Sequence, residues 1–192
     1  MFCDPLAVSL EAGVVDYVEG RADLRAGLVR AIGSADERFR EDYLRLLRGV
    51  RFAARLRFDI EPATAAAISR HADGLSRISP ERIRDELTAI LTEGQAPRGL
   101  QLLLDLGLLA RVLPEVVAMQ GVGQPPEHHP EGDVWTHTLL MLEKATAALQ
   151  GRSLDPTLAW SILLHDVGKP PTYEMADRIR FNNHDKVGAE MV

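Results

Sequence analysis

For most of the chain the apolar positions recur at a helical interval. Between residues 36 and 56 they fall at Tyr43, Leu46, Leu47, Val50, Ala53 and Ala54. That spacing buries one face of a helix, and it predicts a single helix from Asp36 to Leu56. Pro62 suits the first turn of a second helix, running to about Leu75. Ser79-Pro80 reads as the N-cap and first residue of a third helix, Glu81 to Thr92. A fourth is expected from Pro97 to Leu106, closed by Gly107. Residues 121–132 form a Gly/Pro-rich loop and the best candidate boundary. After it, Asp133 caps a helix to about Leu149, and Asp155-Pro156 opens another that ends near Asp166. Thr172 to Phe181 reads as a short surface hairpin, and a last helix starts near Asn183 and is still running at Val192.

Before residue 34 the pattern is different. Gly13 to Val18 and Leu28 to Ile32 read as strands. Two strands alone are marginal in water, so this stretch is expected to be the edge of a larger domain. No internal repeat is visible. The fold class expected is mainly α, in three parts: a β-hairpin remnant over residues 1–33, a helical neck over 34–120 and a second helical domain over 121–192.

Composition narrows the function. With 192 residues, 46% of them hydrophobic and 26% charged, the chain can build a packed core. A net charge of −6 excludes a uniformly basic nucleic-acid coat and leaves room for a local basic face. The lone cysteine, Cys3, excludes a disulfide framework and a multi-cysteine zinc site. No apolar run reaches the roughly 18 residues of a membrane helix, and no signal peptide is visible. A soluble cytoplasmic protein with no membrane partner is expected.

One local basic face does stand out. Seven arginines lie between Arg38 and Arg57, and Arg45, Arg48, Arg51 and Arg55 share an arc of about 120° on a helical wheel. Glu41 is placed to pair with Arg45 at i,i+4, which leaves Asp42 free to point elsewhere. An aspartate accepts hydrogen bonds and a guanidinium donates them in a planar fork, so the two side by side match the edge of a base. The other arginines suit phosphates. A solvated face with ordinary ion pairs has the same spacing.

The run from Glu41 to Leu56 resembles the E-D-x-x-R-x-x-R-x-x-R-F-A-A-R-L motif of class II CCA-adding enzymes and bacterial poly(A) polymerases. Asp4-Pro5 and the stretch Asp16 to Leu24 are similar to the end of that family's head domain. Ile78 to Leu87 is similar to a later neck motif. The resemblance implies that Asp42 and Arg45 read the base of incoming CTP or ATP, that Arg48 and Arg51 belong to the same nucleotide site, and that Glu41 orients Arg45. Arg82 and Glu86 would be structural support, at the spacing of an intrahelical pair. It implies a tRNA or other RNA 3′ end as partner, receiving CCA or A. It also implies Mg²⁺, held for nucleotidyl transfer by a D-x-D pair beside a Gly-Ser loop. Neither that pair, that loop nor the family's R-R-D-F motif occurs in this sequence, so no catalytic carboxylate is assigned and the chain reads as a fragment.

The second constellation is made of histidines. Five of the six lie in the last third: His128, His129, His137, His165 and His184. His165-Asp166 ends an apolar helix and is followed by Gly168-Lys169. Imidazole nitrogen and carboxylate oxygen together suit a transition metal or Mg²⁺. His137 supplies a third ligand if its helix packs antiparallel, and His184 could add to the shell. A core or capping doublet is the plainer alternative. The order of these residues resembles the HD phosphohydrolase superfamily, and the strings 129–137 and 163–170 are similar to the HD region attached to some bacterial CCA-adding enzymes. The resemblance implies a divalent metal at His137, His165, Asp166 and His184, completed by a later aspartate beyond Val192. His71, Trp135 and Trp160 read as structural.

Three readings follow. The first is part of a tRNA 3′-end nucleotidyltransferase that supplies base recognition and RNA binding. The second is a free-standing HD metal-dependent phosphohydrolase. The third is a non-catalytic RNA-binding helical module.

Overall fold

A computed structural model describes residues 9–10, 13–93, 95–150 and 152–192. Cys3 and the Asp4-Pro5 pair lie outside the described residues. Strands β1 (Ser9–Leu10) and β2 (Gly13–Val14) pair antiparallel. Asp16 then redirects the chain. Its carboxylate accepts from the backbone N–H groups of Val18, Gly20 and Arg21 at 3.2, 3.0 and 2.8 Å. Two of these are orphan donors of a helix start, and helix α1 (Gly20–Ala26) follows. The strand pattern did not predict this helix, so the described residues before 34 are less β-rich than expected. Gly27, at φ 65°, closes it.

Strand β3 (Leu28–Val29) lies where the pattern put a strand. Its partner is parallel and distant, β4 (Asp59–Ile60), with Leu28 opposite Asp59.

The helix expected from Asp36 to Leu56 is two helices, α2 (Ala35–Glu41) and α3 (Leu44–Leu56). The break is Asp42. Its backbone is extended (φ −156°, ψ 105°) and its Oδ1 accepts from the Leu44 N–H at 3.0 Å. An aspartate offers the backbone this local alternative to helix continuation. Helix α4 (Pro62–Arg70) opens on Glu61, whose carboxylate accepts from the Thr64 N–H at 2.7 Å. The chain then tightens into a 3₁₀ turn over Ala72–Arg77 instead of continuing as α-helix to Leu75. His71 Nε2 bonds Asp36 Oδ1 at 2.7 Å and pins α4 to α2.

Helix α5 (Pro80–Thr92) starts after Ser79, although the Ser79 hydroxyl makes no capping bond. Helix α6 (Ala96–Asp105) is followed by Gly107 at φ 73°. Two short helices, α7 (Leu109–Val112) and α8 (Pro114–Val117), lead to the Gly/Pro loop. Helices α9 (Val134–Ala148) and α10 (Pro156–Leu164) are each capped by the aspartate before them. Asp133 accepts from the Thr136 N–H at 2.8 Å, and Asp155 from the Leu158 N–H at 3.1 Å. Strands β5 (Tyr173–Met175) and β6 (Ile179–Phe181) form the expected hairpin, and α11 (His184–Met191) follows. The architecture is mainly α.

Helices α3, α5 and α6 pack on one another. At Gly99 an added Cβ would lie 2.4 Å from Ile90 Cγ2, which is why α6 can approach α5 so closely. Helix α9 packs on α6, and α10 on both α5 and α9. One buried apolar cluster therefore runs from Phe39 to Val167, across the loop at 121–132. Trp135 packs in it, and Trp160 Nε1 donates to Thr88 Oγ1 at 3.0 Å, tying α10 to α5. Among the described residues no helix is long and apolar enough to cross a membrane.

Candidate nucleotide-reading face and metal cluster

Helix α3 buries Leu46, Leu47, Val50, Ala53 and Ala54. Its other side carries Arg45, Arg48, Arg51 and Arg55, and the structure gives each a carboxylate. Glu41 pairs with Arg45, as the spacing predicted, and Arg45 also donates to the Arg38 carbonyl at 2.8 Å. Glu86, on α5, is buried between Arg48 Nε at 2.8 Å and Arg51 Nε at 3.3 Å. Glu93 lies 3.9 Å from Arg51 and 3.6 Å from Arg55. One expectation fails here. Asp42 does point elsewhere than Arg45: its Oδ2 takes Arg82 Nη2 at 3.1 Å. Arg82 and Glu86 do not pair along their helix, since Glu86 reaches across to α3 and Arg82 to Asp42 just before it. The reason is packing: α5 lies against α3, so charges on the two facing sides find each other before they find their own helix. Acidic side chains thus partly neutralise a row of arginines within a chain of net charge −6.

Part of the histidine set comes together in space. Ligand atoms of His137 (on α9), His165 and Asp166 (after α10) lie within 4.8 Å of one another. His184, the first residue of α11, brings Nε2 to 3.8 Å from Asp166 Oδ1. That approach requires Gly168, where a Cβ would sit 2.0 Å from the His184 carbonyl oxygen and 2.6 Å from the Gly188 nitrogen.

The imidazoles share one feature. His165 Nδ1 bonds the Ile162 carbonyl at 2.8 Å, His184 Nδ1 bonds the Phe181 carbonyl at 2.9 Å, and His137 Nδ1 bonds the Glu131 carboxylate. Carbonyl and carboxylate oxygens only accept, so each Nδ1 carries the proton and each neutral ring keeps its lone pair on Nε2. Asp166 is 2% exposed. Its Oδ2 lies 3.0 Å from His165 Nε2 and 2.8 Å from Lys169 Nζ, yet neither approach has hydrogen-bond direction, and the buried oxygen has no hydrogen-bond partner. Burial pushes the Asp166 carboxyl up, but His165 and Lys169 outweigh it and hold it down at about 2. For His165 burial favours the neutral ring, and Asp166 with the Ile162 carbonyl reverses this and raises its pKa.

Two nitrogen donors and an ionised, undirected carboxylate oxygen could hold a divalent ion. A second group, His129, Glu131 and His137, also gathers within 4.8 Å. Burial opposes ionisation of Glu131 only weakly; its own backbone N–H, then His137 and His129, lower its carboxyl to about 2. The sequence reading missed Glu131, as it missed Lys169, whose buried ammonium bridges Asp166 and Gln124 Oε1 at 2.7 Å. Both stood in strings already singled out, at 129–137 and 163–170.

A family model described as the probable RNA and SrmB-binding site of polymerase A matches residues 57–119. The HD domain model matches residues 134–192. The two matches fall on successive helical parts of the chain. The multifunctional CCA protein of Pseudomonas aeruginosa (strain LESB58) is 38% identical over 192 residues, 97% of this chain and 45% of its own length. The crystal structure of the Bacillus stearothermophilus CCA-adding enzyme in complex with CTP is similar with a TM-score of 0.51 and 37% identity, over 56% of this chain and 28% of that one. A tRNA-processing enzyme in an apo form aligns with a TM-score of 0.59 and 25% identity, over 80% and 42%. Over almost its whole length the chain is thus similar to part of the CCA-adding enzymes. It spans less than half the length of the curated relatives it matches.

Proposed function

We propose that this chain is the base-reading and RNA-holding part of a CCA-adding tRNA nucleotidyltransferase that uses CTP and ATP, and that it carries a divalent-metal HD centre. The observation that carries the reading is the break at Asp42. It sets an acceptor at the mouth of α3 beside a row of four arginines, in a chain whose relatives include an enzyme solved with CTP. Asp42 and Arg45 read the base, and Arg48 and Arg51 hold the triphosphate. Arg82, holding one Asp42 oxygen, leaves that carboxylate oriented but with lone pairs to spare. The Mg²⁺ of the transfer step is not built from these residues. The helical neck over 34–120 and the HD part from 121 onward are separate functional regions on a shared core.

At the HD centre His137, His165, Asp166 and His184 hold the ion. When bound it would polarise a phosphoryl oxygen or activate water. The chain's own contribution is to fix three Nε2 lone pairs and one carboxylate around it, and to keep Lys169 at its edge.

The test is nucleotide and tRNA binding to the purified chain. CTP and ATP should perturb the α3 arginine resonances with different patterns. Asp42→Ala should erase that difference, because it removes an acceptor and leaves the cations. Arg48→Ala should weaken both nucleotides alike; a charge-assisted bond of this kind is typically worth roughly 1.5–3 kcal/mol. Binding of tRNA lacking its CCA end should weaken with salt. Identical CTP and ATP patterns in wild type and Asp42→Ala would remove Asp42 from the reading site. Metal analysis of the chain loaded with Mn²⁺, Ni²⁺ or Mg²⁺ tests the HD centre, and a wild type that retains no metal and shows no titration would make it structural.

A further inference from the structure

Of the three histidines around Asp166, two have their Nδ1 held by main-chain carbonyls, from Ile162 and Phe181. His137 alone among them has its Nδ1 held by a side chain, Glu131. The same Glu131 oxygen lies 3.2 Å from His129 Nδ1. The His129 and His137 rings meet edge to face with centroids 4.8 Å apart, and His137 faces His165 at 5.7 Å. The order is therefore His129, Glu131, His137, then the metal cluster.

We propose that Glu131 is a positioning residue for the metal centre: it locks His137 as the Nδ1–H tautomer, with the Nε2 lone pair committed to the ion, while His129 steadies the same carboxylate oxygen. This inference rests on the metal reading of the HD cluster. A carboxylate behind a metal-binding imidazole fixes the ring's orientation and raises its basicity. The cluster His129–Glu131–His137 also has the donors of a second cation site. The chemistry decides between the two roles. A neutral imidazole has one lone pair, and an ion taken at His137 Nδ1 would put a proton on Nε2 and remove His137 from the Asp166 cluster. Glu131 on Nδ1 preserves the donor set that includes the buried, undirected Asp166 oxygen; a second ion there would dismantle it. Nothing else among the described side chains fixes the His137 tautomer.

Two measurements on the purified chain test this. The first needs no metal: long-range proton–nitrogen NMR correlations report which ring nitrogen of His137 is protonated. Wild type should be the Nδ1–H form, and Glu131→Ala should shift His137 to a mixture of tautomers. Glu131→Gln, whose amide oxygen still accepts, should keep most of the wild-type form. The second is titration with Ni²⁺ and Co²⁺ by calorimetry and by Co²⁺ absorption. Wild type should bind one ion per chain. Glu131→Ala should bind about 10- to 100-fold more weakly, the usual effect of losing such a partner, with Glu131→Gln between the two. Thermal melting of each variant shows whether it is folded. An unchanged His137 tautomer in folded Glu131→Ala would overturn the proposal. So would two ions per wild-type chain falling to one in Glu131→Ala, which would make Glu131 a ligand. If wild type binds neither ion the metal reading fails, and the tautomer measurement still decides whether Glu131 sets the state of His137.

Discussion

Gly168→Ala should damage the fold and the metal cluster together. The turn after His165-Asp166 meets α11 with its backbone, and the added Cβ would lie 2.0 Å from the His184 carbonyl oxygen, 2.6 Å from the Gly188 nitrogen and 3.0 Å from the His184 carbonyl carbon. Ordinary contact is about 3.5 Å, so the main chain of α11 must retreat by more than about 1 Å. No flexible side chain stands there to give way instead. Overpacking of this kind costs roughly 1–3 kcal/mol. For a chain of this size 1 kcal/mol moves Tm by about 2–4 °C, so a fall of about 2–12 °C is expected. If α11 peels away rather than straining the rest, amides of residues 187–191 should lose hydrogen-exchange protection. His184 Nε2 would move off Asp166 Oδ1, now 3.8 Å away, and Ni²⁺ affinity should fall. Gly20→Ala is the control, because the nearest atom to its Cβ is 3.9 Å off. A Gly168→Ala protein with unchanged Tm and unchanged protection over α11 would refute the steric argument.

Three further outcomes are expected. Glu86→Ala removes the partner of Arg48 and the nearer partner of Arg51 and should lower stability by about 1.5–3 kcal/mol, toward the lower figure because Arg48 is partly solvated and Arg51 keeps Glu93; Asp85→Ala, on the exposed pair with Arg84, should change it by less than about 0.5 kcal/mol. Equal denaturation midpoints for the two variants would remove Glu86 as an anchor. The Asp36 carboxyl is held below its ordinary 3.8, first by His71 and then by Arg70, so the folded state binds its proton less readily than the unfolded chain. Its contribution is present above that pH and is lost as pH falls through the lowered value; Asp36→Asn should flatten the acid limb of a stability–pH curve, and an unchanged limb would count against the pair. The 192-residue chain alone should add no CMP or AMP to tRNA lacking CCA at any Mg²⁺ concentration, since positioning and charge neutralisation supply phosphoryl transfer and its sequence has no D-x-D pair. Clean CCA addition by the purified chain would mean that catalytic carboxylates were overlooked.

Much of this protein was legible in its sequence because the signals are local. The apolar spacing marks the buried face of α3, Asp133 and Asp155 announce the helices they cap, and Pro62 and Pro80 sit where first turns begin. His165-Asp166 after an apolar helix marked one part of the His137, His165 and Asp166 group in the same way. What stayed hidden depended on partners far along the chain. Periodicity cannot see that Asp42 breaks a helix, since a side chain that accepts one backbone N–H leaves the apolar spacing intact. It cannot see that Arg82 and Glu86 turn away from each other, because an i,i+4 pair and two cross-helix pairs use the same residues, and the packing of α5 on α3 chooses between them. Strand β3 showed as a strand, but its parallel partner at Asp59–Ile60 is two residues long, too short to carry a pattern. Glu131 stood in plain view six residues before His137, and only the turn between them, which brings its carboxylate onto Nδ1, gives it a role. Sequence determined which residues could do chemistry; tertiary packing decided which lone pairs and charges they had left to do it with.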